Sequence, residues 1–208
     1  MSYPTTGSQT ELRAINQILM SVGQAPVTTL EKTNPDVAIS FDTLMEVSRE
    51  VQSEGWTFNQ EYDYPMTPNA NGNILYPANC LQLDISNNPT YYNGKQYDTV
   101  KRGDRLYDRR SHSDKWTETI YCDIKWLYPL EDLPSPVIDY IICKAATMVS
   151  SRIVGDPGQY QMLQQNEAYT RAMAIEYDAN QGDFSFFGFP RQGTNYISYE
   201  PYKALQRY

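Results

Sequence analysis

Apolar residues recur at helical spacing near both ends of this chain and at alternate positions in its middle. Leu12, Ile15, Ile18, Leu19 and Val22 form a first helical stripe. Ser8 and Glu11 ahead of it make an S-x-x-E capping box, and Gly23 and Pro26 mark its end. A second helix is predicted from Asn34 as cap and Pro35 as first residue to Gly55, burying Val37, Phe41, Leu44, Val47 and Val51. A third runs from Ser135 and Pro136 to Gly155, with Ile138, Ile141, Ile142, Ala145, Met148 and Val149 on one face. A fourth starts at the Asp156 cap and Pro157. Its apolar stripe, Met162, Tyr169, Met173 and Tyr177, is thin, which predicts packing along a narrow seam.

Between Trp56 and Leu133 the period falls to two. Leu81, Leu83 and Ile85 alternate with Gln82 and Asp84, and Ile120, Cys122, Ile124 and Trp126 alternate with Tyr121, Asp123 and Lys125. Asn93-Gly94 carries a type I′ hairpin signal, and Asn71-Gly72 marks a second turn. The expected fold class is therefore α+β: a four-helix bundle (8–55 plus 134–181) with an inserted β-sheet or barrel module (56–133). An extended C-terminal arm (182–208) follows. Gly55, Trp56 and Phe58 lie at the seam where the chain leaves the helices.

Composition adds a reason to expect partners. Apolar residues make up 40% of 208, but 18 of them are Tyr, and only 20% of the chain is charged. Few charges and many tyrosines predict a surface that is meant to be covered. A net charge of −8 argues against wrapping duplex DNA, which needs basic residues to displace phosphate counterions. It is compatible with DNA sliding through a repulsive channel. Cys80, Cys122 and Cys143 contain no CxxC pair, so reduced thiols are expected rather than a zinc site or a disulfide framework. "MSYPTTGSQTELRA" lacks a basic start and an apolar core, so no signal peptide is expected. The longest apolar run, "VIDYIICKAATMV", is too short to span a bilayer, and no membrane insertion is expected.

The residues that resemble catalytic groups have simpler readings. His112 stands between Ser111 and Ser113, but a triad needs an oriented base and an oxyanion hole, which adjacency does not supply. Arg102-Gly103-Asp104 spells an adhesion tripeptide that a turn explains equally well. Lys101, Arg102, Arg105, Arg109, Arg110 and Lys115 form a basic cluster offset by Asp104, Asp108 and Asp114. It reads as a salt-bridged β edge or as a patch for an acidic neighbour. Glu118 with Asp123 could be a glycosidase pair only if they faced each other across a cleft. No P-loop, dinucleotide fingerprint or HExxH is present, so no catalytic residue, metal or cofactor is expected.

The tail differs from the rest. Four of the six phenylalanines, Phe184, Phe186, Phe187 and Phe189, stand together, followed by Tyr196, Tyr199, Tyr202 and Tyr208. Ordering this segment alone costs more backbone entropy than burying its rings returns, so it is expected to order on a partner or a neighbouring copy.

Four segments, "ELRAINQILMSVGQAPVTTLE" (11–31), "EVQSEGWTFN" (50–59), "RLYDRRSHSDKW" (105–116) and "EDLPSPVIDYIICKAA" (131–146), occur in an order that resembles a known family. It is the tail tubular protein A, or head-to-tail adaptor, family of short-tailed bacteriophages (podoviruses). The resemblance implies a virion protein made in the bacterial host cytoplasm. It implies a dodecameric ring joining the portal to the tail nozzle (tail tubular protein B), with tail fibres docked nearby. Such a ring retains packaged double-stranded DNA and later conducts it outward. On this reading the helices build the ring wall, the β module with its basic patch faces nozzle and fibres, and the aromatic arm clasps the portal. Two other classes are weighed against it: a tail hydrolase of host wall or capsule polysaccharide, and a host-binding module using the basic β segment.

Overall fold

The computed structural model describes residues 7–31, 33–86 and 97–182. Its elements in chain order are α1 (Gly7–Ser21), α2 (Pro35–Glu54), β1 (Gln60–Met66), β2 (Cys80–Ile85), β3 (Thr99–Arg102), β4 (Arg105–Asp108), β5 (Ile120–Trp126), α3 (Ser135–Ile153) and α4 (Pro157–Gly182). The fold is mixed α+β.

The helix ends follow from local chemistry. α1 begins one residue before the expected cap, so Ser8 lies inside its first turn. At its other end Gly23 has φ +78°, and the N–H of Gln24 reaches back to the Leu19 carbonyl (2.9 Å), closing the helix in a Schellman turn. Asn34 caps α2 by accepting a hydrogen bond from the Asp36 N–H (3.0 Å). α3 departs from expectation, because Pro134 occupies the cap position and Ser135 is already helical. Asp156 accepts from the Gly158 N–H (3.0 Å) where α4 begins.

α1, α2 and α3 enclose the helical core. Ile15, Ile18, Leu19, Val37, Leu44, Val47, Val51, Ile141, Ala145 and Val149 are almost fully buried within it. α4 lies along α3, and here three of the four residues of the expected stripe are misplaced, Tyr177 being the exception. Met162, Tyr169 and Met173 are exposed to 73%, 65% and 43%. The face turned to α3 carries Leu163, Glu167, Thr170, Ala174 and Tyr177, and of these only Ala174 is fully buried. A small residue lets two helices approach closely, whereas the large apolar side chains stand on the flank.

The inserted region is not a closed barrel among the described residues. A three-stranded antiparallel sheet has the order β1-β5-β2, leaving β1 and β2 as its edges, and β3 and β4 form a separate hairpin. Tyr64 pairs with Cys122 and Leu83 with Ile124. The inner face of β5 packs Ile120, Cys122, Ile124 and Trp126 against Met66, Ile74, Leu106 and Trp116 in a second core. The Leu106 N–H donates to the Ile74 carbonyl (2.9 Å), stitching the hairpin to the loop before β2. That loop turns at Gly72 (φ +74°), where Asn69 Oδ1 accepts from the N–H groups of Asn71 and Asn73. Asn93-Gly94 lies outside the described residues. No helix among the described residues is long and apolar enough to cross a membrane.

Candidate interaction surfaces

The chain leaves the helices through a buried polar seam. Trp56 donates its indole N–H to the Val51 carbonyl (2.7 Å) and its backbone N–H to Asn59 Oδ1 (2.8 Å). Asn59 donates in turn to the carbonyls of Gln52 and Trp126, both at 2.9 Å. Gln52 donates to Ser48 Oγ and to the Tyr128 carbonyl, both at 3.0 Å, and accepts from the Tyr128 N–H (2.8 Å). Gln52 and Asn59 are fully buried. Two amides thus use their donors and acceptors to tie the last turn of α2 to the end of β5. Tyr128 touches both hydrophobic cores.

Gly55 holds the turn with φ +85°, and a Cβ there would lie 2.2 Å from Gln60 Nε2 and 2.6 Å from Lys125 Cε. Lys125 places its ammonium 3.4 Å from the Ser53 and Glu54 carbonyls at the C-terminus of α2, where a cation is favoured. Asp178 of α4 accepts from the Thr57 N–H (2.7 Å), and Phe58 packs on the helical core. Gly55, Trp56 and Phe58 all lie in this joint. The sequence reading missed Gln52, Asn59, Lys125 and Asp178. Only Gln52 left a signal: an amide at helical spacing among the buried valines of α2.

The basic patch is largely compensated from within. Lys101 sits over the Tyr76 ring (4.4 Å) and Arg102 over Tyr107 (3.6 Å). Arg105 pairs with Asp104 (3.5 Å) and Asp114 (3.3 Å), and Arg109 with Asp98 (2.8 Å). Lys115 donates to the Asn71 carbonyl (2.8 Å) and Asn73 Oδ1 (3.1 Å). Arg102 and Arg105 face each other across the two-residue turn Gly103-Asp104, where Gly103 has φ +62°. That backbone need accounts for the glycine of the tripeptide.

Beneath the patch, buried Asp108 organises the loop. Its carboxylate accepts from the N–H groups of Asp98 (3.0 Å), Arg110 (3.1 Å) and Ser111 (3.2 Å) and from the Ser111 hydroxyl (2.7 Å). Burial pushes its pKa up, but these hydrogen bonds outweigh burial and hold it below the usual carboxylate value.

The residues considered for catalysis are not assembled. His112 is exposed in that loop with φ +53°. Glu118 accepts from the Tyr97 hydroxyl (2.8 Å), and that ring packs on Trp116 beside the β core. Asp123 lies on the opposite face of β5 and accepts from the Asp63 N–H (3.1 Å). The two carboxylates thus serve different faces. Among the described residues no group of three or more His, Cys, Asp or Glu side chains could hold a metal ion. The three cysteines are free thiols, and burial pushes Cys122 up to about 12. Phe184, Phe186, Phe187, Phe189, Tyr196, Tyr199 and Tyr202 lie outside the described residues.

Comparison with known proteins gives two matches. A family described as tail tubular protein matches residues 12–184. The tail tubular protein A of Klebsiella phage KP34 is 26% identical over 172 residues, covering 82% of this chain and 88% of that protein.

Proposed function

The chain belongs to the tail tubular protein family of structural bacteriophage tail components, and from that premise we propose that it is a head-to-tail adaptor. A dodecameric ring of it joins the portal to the tail nozzle and supports tail-fibre attachment. The same ring holds the packaged DNA back and later conducts it outward. Its role needs no catalytic step and no cofactor. It is made in the bacterial host cytoplasm and carried in the virion tail.

The family match carries this reading, because residues 12–184 span the helices and the β insertion alike. The seam supports it physically. The helical domain (8–55 plus 134–181) builds the ring wall, and the β domain (56–133) points to nozzle and fibres. Gln52 and Asn59 keep the angle between them the same in every copy. The acidic net charge favours DNA sliding over DNA binding. The arm from residue 182 clasps the portal or a neighbouring copy, and repetition around the ring turns weak contacts into a firm joint.

The direct test mixes purified protein with purified portal and follows size exclusion with light scattering. Co-elution with a ring's worth of chains per portal is expected. A chain that stays at its own mass beside unbound portal overturns the reading.

A further inference from the structure

Between α1, α3 and α4 the described residues leave a groove of about 310 Å³ lined by Met20, Ile142, Cys143, Ala146, Leu163 and Thr170. Its exposed surface is mostly apolar, interrupted by Gln17, Ser21, Asp139 and Asn166. Met20 at its edge is 57% exposed, and α4, which walls the groove, also carries the exposed side chains of Met162, Tyr169 and Met173. An exposed apolar side chain at the rim of the groove, with more on the flank of the helix beside it, marks a surface that something covers.

The chain itself supplies an occupant of the right chemistry. Beyond Gly182 it continues for 26 residues, and that segment opens with Phe184, Phe186, Phe187 and Phe189. Thr170 and Leu163 lie roughly 18 and 29 Å back along α4 from Gly182 at ~1.5 Å per residue. An extended strand covers those distances in about five and nine residues. With about two residues spent on reversing the chain, Phe189 reaches the near end of the groove and Phe187 falls just short of it. The segment also carries Arg191, Lys203 and Arg207 against Asp183 and Glu200, in a chain whose net charge is −8, and Asp139 stands in the groove wall. A tether of this length gives an effective concentration on the order of millimolar. That favours the chain's own segment over an identical one on another free copy at roughly micromolar concentration.

We propose that the groove between α1, α3 and α4 is the docking site for the aromatic start of the chain's own C-terminal segment, with Phe189 as the side chain that enters it. In the free protein the segment is held on its own helices. A partner that offers more contact then displaces it. This goes beyond the adaptor reading and does not rest on it.

Cys143 lines the groove and serves as a native probe. The full-length chain is prepared with Phe187→Cys, with Phe189→Cys, and with Tyr208→Cys as a control at the far end. After mild oxidation, peptide mass spectrometry locates the disulfides. The expected result is a bond from the introduced thiol to Cys143 within a single chain, formed at least tenfold faster for position 189 than for 208, with 187 intermediate. In parallel, replacing the four phenylalanines by Ser in the full chain is expected to raise the alkylation rate of Cys143 at least tenfold. Covalent dimers through Cys143 would assign the groove to a second copy's segment and overturn the proposal. Failure to trap Cys143 together with an unchanged alkylation rate would show an open groove and overturn it too. Both readouts use the free chain, so their outcome does not depend on whether the chain binds a portal.

Discussion

Gln52 looks ordinary in the sequence, a polar residue near the end of a helix, yet it is one of two amides on which the joint between the cores depends. Replacing it with Leu removes three hydrogen bonds and leaves the half-buried Tyr128 N–H and carbonyl without their partner. Gln52→Leu is expected to destabilise the protein by about 2–4 kcal/mol, read as a lowered urea midpoint. Asp108 supports a prediction with a sign. Its folded pKa lies below the ordinary value, so its contribution to stability is fully present above that value. It is lost as pH falls through the folded pKa. Wild-type stability should therefore drop as pH falls below about 4. Asp108→Asn should be less stable at neutral pH and show a shallower acid dependence in urea titrations across that range.

At the scale of elements, the helices α1, α2 and α3 and the strands β2 and β5 were legible, because burial on one face imposes a period that survives in the residues themselves. Val37, Leu44, Val47 and Val51 could not face water together, nor could Ile120, Cys122 and Ile124. α4 was legible as a helix and misread as a surface. A search for its buried face favours large apolar residues, whereas close packing against α3 turns on Ala174. The seam was half legible: Gly55 and Trp56 announce a change of structure, but no local pattern says that Asn59 will reach the Trp126 carbonyl. The barrel alternative failed because alternation reveals strands without revealing whether a sheet closes. Two substitutions on α4 check the corrected surface. Ala174→Leu should cost about 1–3 kcal/mol by overpacking the contact with α3. Tyr169→Ser should stay within about 0.5 kcal/mol, because the side chain it removes is exposed. Thermal melts of both variants distinguish this surface from a buried stripe of Met162, Tyr169 and Met173, for which the order of the two effects reverses.

For the whole molecule, what matters is whether two cores behave as one body. The amide network, the Lys125 contact with the end of α2 and the shared ring of Tyr128 all cross the seam. Calorimetry of the wild type should therefore show one unfolding transition, and Gln52→Leu should broaden or split it. A fixed angle between modules is what the proposed ring needs for each copy to present the same surface to the portal on one side and the nozzle on the other. The measurement that tests this most directly is electron microscopy of the purified protein mixed with its portal. A dodecameric ring seated on the tail-facing end of the portal, with the β modules pointing away from it, is the predicted image. Portal particles with a bare tail-facing end, beside single copies of this chain, would contradict it.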